Sequence, residues 1–196
     1  MPTLEVRWFI PQKGFARPDT FERVAPAPAR VDWYAPGNAA SGVKLREGNL
    51  EVKLLLAEHG VGEFANGSCR GAVQSWDKWI YRNDVQSPPT AEALQQAGWI
   101  AVEKQRWLIK FENRGGNMVS VDVDQPGGCQ VEWTEVQVAG TPWLTIGLEA
   151  AGEAATLNVS LEQTANLVLP ALSEQLPLDE SHSLSYPQWL EGLAKR

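Results

Sequence analysis

The sequence predicts an α+β protein in which an antiparallel β-barrel carries a few flanking helices. Three observations favour this class. Roughly eight or nine segments alternate apolar and polar residues, as strands with one buried face do. Many neighbouring segments are separated by short turns that contain glycine or asparagine, which is typical of hairpins. Helical segments do not alternate with the strands along the chain, and this disfavours a doubly wound parallel sheet.

The first half of the chain contains the clearest strand patterns. Its strand candidates are residues 4–10, 30–34, 43–46, 50–54 and 74–83. The first candidate places Leu4 and Val6 on one face and Glu5 and Arg7 on the other. The third and fourth flank a turn at Gly48, which tolerates the positive φ angle of a tight hairpin. A proline-rich connection over residues 11–29 separates the first two candidates.

The second half of the chain adds four strand candidates and the helices. The strand candidates are residues 100–112, 118–124, 131–138 and 143–150. A short helix is expected after Thr90 as its N-cap, with Gly98 ending it. In the tail, residues 164–175 predict a helix that Pro170 breaks or kinks, and Ser185 predicts the start of another.

Composition and charge limit what the protein can do. The chain has 196 residues and a net charge of −7, which fits one domain and argues against a general nucleic-acid binder. We therefore expect a single domain over residues 1–196, with residues 160–196 forming a helical C-terminal extension that packs on the barrel. No apolar run approaches the roughly 18 residues of a membrane helix, so no membrane partner is expected. The start of the chain lacks the pattern of a signal peptide, and Cys69 and Cys129 are expected as free thiols in a cytoplasmic protein.

Charged residues occupy one face of several predicted strands. The cations at strand centres are Arg7, Lys44, Arg46, Lys53, Lys104 and Arg106. Glu5 and Glu149 lie among them in the same alternation. One interpretation is that these are solvated outer faces of an ordinary barrel, since lysine and arginine often alternate outward on antiparallel sheets. The other is that they line a polar tunnel, in which arginine binds phosphate oxygens and carboxylates bind Mg²⁺.

The order of these motifs resembles the CYTH family, the triphosphate tunnel enzymes. That family includes class IV adenylate cyclases, thiamine triphosphatases and inorganic triphosphatases. The resemblance covers roughly residues 3 to 150. The segments that carry it are Glu5-Val6-Arg7, Asp32-Trp33-Tyr34, Lys44-Leu45-Arg46, Lys53, Lys104-Gln105-Arg106 and Gly147-Leu148-Glu149. They stand where the family has an opening Glu-x-Glu-x-Lys, an Asp-x-Tyr, two basic strands, a Lys-x-Arg strand and a late Glu-x-Glu.

The resemblance implies roles for these residues. The residues expected to bind the substrate are Arg7, Lys44, Arg46, Lys53, Lys104 and Arg106. Glu5 and Glu149 are expected to hold Mg²⁺ or Mn²⁺ as the cofactor. Thr3 and Gly147 stand where the family has two further acids, which puts the metal site in question. Glu132 and Glu135 on the preceding strand are alternatives for the missing carboxylates.

The function expected from this resemblance is the binding of a small anion that carries a triphosphate or polyphosphate. Hydrolysis of that ligand by a metal-dependent triphosphatase is the corresponding reaction. The alternative is a non-catalytic barrel that binds a small molecule, either a degenerate CYTH protein or a lipocalin-like one with an apolar interior. The two hypotheses differ in the polarity they predict for the inner face of the barrel.

Overall fold

Antiparallel strands form the body of the protein, whose computed structural model describes residues 2–11, 14–82 and 88–195. The strands are β1 (Thr3–Pro11), β2 (Ala27–Tyr34), β3 (Ser41–Arg46), β4 (Asn49–Phe64), β5 (Cys69–Tyr81), β6 (Ile100–Arg114), β7 (Asn117–Val121), β8 (Gly128–Val138) and β9 (Thr141–Ala151). The α-helices are α1 (Asp19–Glu22), α2 (Ala91–Gln96), α3 (Leu157–Ser173) and α4 (Tyr186–Ala194). None of the helices in this part of the chain is long and apolar enough to span a membrane.

The strands close into a barrel. They follow the order β2-β3-β4-β5-β1-β9-β8-β6-β7 in one sheet, and a further pairing of β2 with β6 closes the ring. Strand β7 lies outside the ring and pairs with β6. All of these pairings are antiparallel. The predicted α+β class with an antiparallel barrel is therefore confirmed.

Strands β4 and β5 are longer than the sequence pattern predicts. The alternation that predicts a strand over residues 50–54 ends there, yet β4 continues to Phe64. Its pairing with β5 shifts register between Leu55 and Ala57 and again between Glu58 and Val61. Each shift breaks the two-residue alternation, so periodicity misses the second half of the strand. The predicted end of β5 at residue 83 lies outside the described residues.

The main hydrophobic core lies outside the barrel, between its wall and helix α3. The apolar face of β1, which carries Val6 and Trp8, packs there with Leu161 and Leu169 of α3. This helix begins at Leu157, earlier than the predicted residue 164, and continues past Pro170 to Ser173 as one element. The prediction of a break at the proline was wrong, and the alternative of a kink stays a prediction. Pro170 lacks the N–H that would bond back to residue 166, and the helix continues without that one hydrogen bond.

A second, smaller core closes one end of the barrel interior. Ser185 caps helix α4 as predicted, through a capping box with Gln188. The helix places Trp189 on Phe9 of β1, with ring centroids 4.3 Å apart and the rings nearly parallel. Trp143 of β9 meets the same tryptophan edge-on. The barrel interior is therefore apolar at this end, and its polar part lies beyond it.

Candidate functional site

A cavity of about 450 Å³ occupies the polar part of the barrel interior. Alternate residues of the strands line it, because successive side chains on a strand point to opposite faces. All of the predicted site residues lie in its wall: Glu5, Arg7, Lys44, Arg46, Lys53, Lys104, Arg106 and Glu149. The geometry thus follows the tunnel interpretation and not the outer-face one. The binding and metal roles assigned to these residues stay predictions.

The cavity also contains charged and aromatic residues that were not assigned to it from the sequence, and Glu132, which was named only as an alternative carboxylate. The unassigned residues are Arg30, Tyr34, Glu51, Trp76, Lys78, Asp124 and Tyr186. Most of them share the strand alternation of the predicted residues, so the same rule could have found them. Glu132 and Glu135 lie on opposite faces of β8, and it is Glu132 that points inward. Tyr186 comes from helix α4, and no strand pattern could have placed it there.

Asp32 organises three of the cavity cations. Its carboxylate is fully buried and lies 2.9 Å from Lys104 Nζ, 3.0 Å from Arg30 Nε and 3.4 Å from Lys44 Nζ. Burial by itself raises the pKa of Asp32, but the charges of Lys104, Lys44 and Arg30 outweigh it and hold that pKa well below its ordinary value. Asp32 is therefore an anion that holds these cations in place.

Lys104 lies deepest among these cations. Its ammonium donates to Tyr34 Oη at 2.8 Å and sits 3.9 Å from the centroid of the Tyr186 ring. Burial lowers the pKa of Lys104 to about 7, although Asp32 acts in the opposite direction. Its charge consequently changes near neutral pH. An anion entering the cavity would favour the charged form.

A row across three strands joins Arg7, Gly147 and Glu132. Arg7 on β1 faces Gly147 on β9, which faces Glu132 on β8. The Arg7 guanidinium spans the glycine and donates to Glu132 at 2.8 Å and to Thr145 Oγ1 at 3.1 Å. Burial raises the pKa of Glu132, but Arg7 and Arg106 outweigh it, and the pKa falls to about 2.

The neighbouring row brings two carboxylates together. Glu5 on β1 faces Glu149 on β9. The Lys53 ammonium lies 2.5 and 2.6 Å from the two carboxylate oxygens of Glu5 and 4.0 Å from Glu149. Burial raises the pKa of Glu5, but Lys53 outweighs it and lowers that pKa. The pKa of Glu149 is raised, first by the charge of Glu5 and then by burial.

The predicted metal site can be tested against this arrangement. Both oxygens of Glu5 are engaged by Lys53, and Thr3 Oγ1 also donates to one of them at 2.6 Å. Mg²⁺ requires oxygen ligands at about 2.0–2.1 Å in octahedral geometry. The described residues contain no group of three or more acidic, histidine or cysteine side chains that could hold a metal ion. A Mg²⁺ or Mn²⁺ ion on Glu5 and Glu149 would have to displace Lys53, and the residues as placed do not fit it.

Three buried polar atoms of the cavity residues have no hydrogen-bond partner within the described part of the chain. They are Nε of Arg30, which is ion-paired with Asp32, Nε of Arg106 and Oη of Tyr186. All three residues line the cavity. A buried donor without a partner costs free energy, so native proteins usually satisfy such groups with water or a ligand. These donors therefore favour an occupant with acceptor oxygens.

Fold and cavity together define a closed antiparallel barrel with a charged, half-enclosed interior. No protein-family model matches the chain, and no curated protein matches it. Among solved structures, the chain is similar to the PH1819 protein from Pyrococcus horikoshii OT3, with 15% sequence identity, 99% of each chain covered and a TM-score of 0.45. Membership of the CYTH family stays a prediction.

Proposed function

We propose that the barrel binds a small anion with several phosphate groups in its interior cavity. One observation carries this proposal. Lysine and arginine side chains outnumber carboxylates in the cavity wall by eight to five, in a chain whose net charge is −7. Asp32 does not line the cavity but pairs with Lys104, which does; counting it among the carboxylates still leaves two more cations than anions. Such a local surplus inside an acidic protein is suited to concentrating an anion.

The arrangement of the cations supports a ligand with many oxygens. They come from β1, β2, β3, β4, β5 and β6, so they surround the cavity and do not form a patch on one side. Carboxylates hold them in place: Glu51 lies 3.1 Å from Lys44 and 3.2 Å from Arg46. Arginine and lysine held in this way are preorganised for phosphate oxygens. Such a ligand would also give Arg106 and Tyr186 their missing partners.

The charged lining disfavours the alternative of an apolar ligand. A lipocalin-like barrel needs an apolar interior, and here the apolar end is filled by the side chains of Phe9, Trp143 and Trp189. The resemblance to the triphosphate tunnel enzymes supports the same class of ligand. Hydrolysis would additionally need a group that activates water beside the phosphates, so the proposal is limited to binding.

Calorimetry with tripolyphosphate at low ionic strength tests this proposal. We expect binding that weakens as salt rises, because the attraction is electrostatic and screened. Arg46→Ala should weaken binding roughly 5- to 150-fold, corresponding to about 1–3 kcal/mol for a lost charged hydrogen bond. Arg114→Ala is the control, since Arg114 is exposed on the β6–β7 hairpin and pairs with Glu112. Absence of binding to tripolyphosphate and to nucleoside triphosphates would overturn the proposal.

A further inference from the structure

Two carboxylates that face each other across strands need a cation nearby. Glu5 and Glu149 are direct cross-strand neighbours, and like charges in such positions repel. Both side chains are largely withdrawn from water, which strengthens the repulsion. Either a bound metal ion or a protein side chain can compensate it. In the described residues, a protein side chain compensates the repulsion.

Lys53 is held where that cation is needed. Its ammonium contacts both oxygens of Glu5 and approaches Glu149. The ring of Trp76 lies beside it, with its centroid 5.6 Å from Nζ. Leu55 of β4 pairs with Trp76 of β5, so the ring and the lysine belong to neighbouring positions of one strand pair. The position of Lys53 is therefore fixed by the sheet.

Arg7 supplies a second resident cation in the next row. A Cβ atom at position 147 would lie 2.4 Å from Arg7 Nη2, so any side chain there would meet the guanidinium. The glycine makes the space, and Arg7 fills it with positive charge directed at Glu132. The carboxylates of both rows are thus compensated by side chains.

We propose that this cavity binds its polyphosphate ligand without a divalent metal ion, because Lys53 and Arg7 supply the positive charge that a metal would bring. This inference rests on the proposed function and deepens it. It separates this barrel from tunnel enzymes in which carboxylates hold a metal beside the phosphates. The positive charge that faces the phosphate oxygens would come from ammonium and guanidinium groups alone.

The first test compares tripolyphosphate binding in EDTA with binding in Mg²⁺. We expect the affinity in EDTA to equal or exceed the affinity in Mg²⁺, since free Mg²⁺ also complexes the ligand. An affinity at least tenfold higher in Mg²⁺ would overturn the inference and leave the proposed function intact. Absence of binding in both buffers, for tripolyphosphate and for nucleoside triphosphates, would overturn the proposed function itself.

The second test needs no polyphosphate and decides the role of Lys53 separately. Mn²⁺ is titrated into the ligand-free protein, and free Mn²⁺ is followed by electron paramagnetic resonance. Lys53→Met should bind Mn²⁺ at least tenfold more tightly than the wild-type protein, because it uncovers the Glu5–Glu149 pair. Lys195→Met is the matched control and should keep the wild-type Mn²⁺ affinity, because Lys195 pairs with Glu191 at the exposed end of α4 and does not line the cavity.

The outcomes of the Mn²⁺ titration are distinct. Wild-type protein that binds Mn²⁺ as tightly as Lys53→Met would show that Lys53 does not exclude the metal. If neither the wild-type protein nor folded Lys53→Met binds Mn²⁺, the Glu5–Glu149 pair attracts no cation when Lys53 is removed, which contradicts the idea that the lysine takes a cation's place. Circular dichroism confirms that the variants are folded, and the EDTA comparison on the wild-type protein does not depend on any variant.

Discussion

Gly147 shapes the cavity through the atom it lacks. The guanidinium of Arg7 lies directly over it, with three of its atoms within 2.8 Å of where a Cβ atom would stand. This close approach allows Arg7 to reach Glu132 across strand β9. The sequence does not show this contact, because it joins residues 140 positions apart in the chain. Its consequence is that the guanidinium of Arg7 occupies the space beside Gly147.

Gly147→Ala should weaken anion binding and also lower the free energy of unfolding, because it displaces Arg7 from Glu132. The new methyl group must push the flexible end of Arg7 away from Glu132, at a cost of about 1–3 kcal/mol for the charged hydrogen bond. Gly71→Ala is the contrasting variant, because its Cβ atom would lie 2.6 Å from Val6 and 2.7 Å from Trp8 in the core. That change should lower the free energy of unfolding by a similar 1–3 kcal/mol through overpacking and leave binding unchanged. Calorimetry measures the affinity for tripolyphosphate, and urea unfolding measures the stability. If Gly147→Ala binds tripolyphosphate with wild-type affinity, Arg7 does not take part in binding.

Much of the cavity follows from the sequence at the residue level. Strand alternation groups Glu5 with Arg7 on one face of β1 and puts Lys53 on the charged face of β4, and in the structure both faces line the cavity. Alternation fixes only which face a residue occupies, so it cannot show which charges pair. The contact of Lys53 with Glu5 joins strands 48 residues apart in the chain. It is a product of barrel closure, which no local pattern encodes.

Turns and helix caps are the elements that the sequence predicts best. Thr90 and Ser185 both act as N-caps, because a side-chain oxygen that accepts from the first turn is a local interaction. The length of β4 and the start of α3 were missed because they depend on tertiary contacts. In β4 the register shifts hide the strand, and α3 extends towards Leu157 because that residue is buried against the barrel.

The cap of helix α4 controls how firmly one end of the cavity is closed. Ser185 and Gln188 form reciprocal hydrogen bonds, and Tyr186, which follows Ser185, lines the cavity. Ser185→Ala should lower the free energy of unfolding by about 0.5–2 kcal/mol, the usual effect of losing an N-cap. Ser173→Ala is the control, since its hydroxyl donates to Pro170 O in the last turn of α3 and caps no helix start. Urea unfolding gives both values, and an equal loss in the two variants would contradict a special role for the cap.

At the scale of the whole molecule, the barrel wall separates the larger apolar core from the charged part of the barrel interior. The larger core packs outside the wall against α3, while the inside holds the ion pairs around Asp32, Glu132 and Glu5. Such pairs stabilise the fold only while both partners are charged. Removing one partner leaves a buried charge uncompensated, which typically costs about 3–5 kcal/mol. The stability of the protein should therefore depend on pH.

Acid should destabilise the folded protein over a defined range. The pKa values of Glu5, Asp32, Glu51 and Glu132 are lowered in the folded state, because nearby lysines and arginines outweigh the effect of burial. A group with a lowered folded pKa binds its proton more readily when unfolded. The charged carboxylate therefore stabilises the folded protein at pH values above its ordinary pKa, which is near 4.5 for glutamate. This stabilisation is lost as pH falls towards the pKa of the folded state, which is about 2 for Glu132. The raised pKa of Glu149 acts in the opposite sense and weakens stability as pH rises through and above its ordinary value.

The contribution of Glu132 can be isolated with Glu132→Gln. At pH 7 this variant should be less stable than the wild-type protein by about 3–5 kcal/mol, because Arg7 and Arg106 lose their shared counter-charge. The difference should shrink as pH falls from 4.5 towards 2, since the wild-type carboxylate is then becoming protonated as well. Urea unfolding at a series of pH values measures it, with Glu191→Gln as a control at an exposed pair with Lys195. A difference that stays constant down to pH 2 would show that the charge of Glu132 does not hold the two arginines.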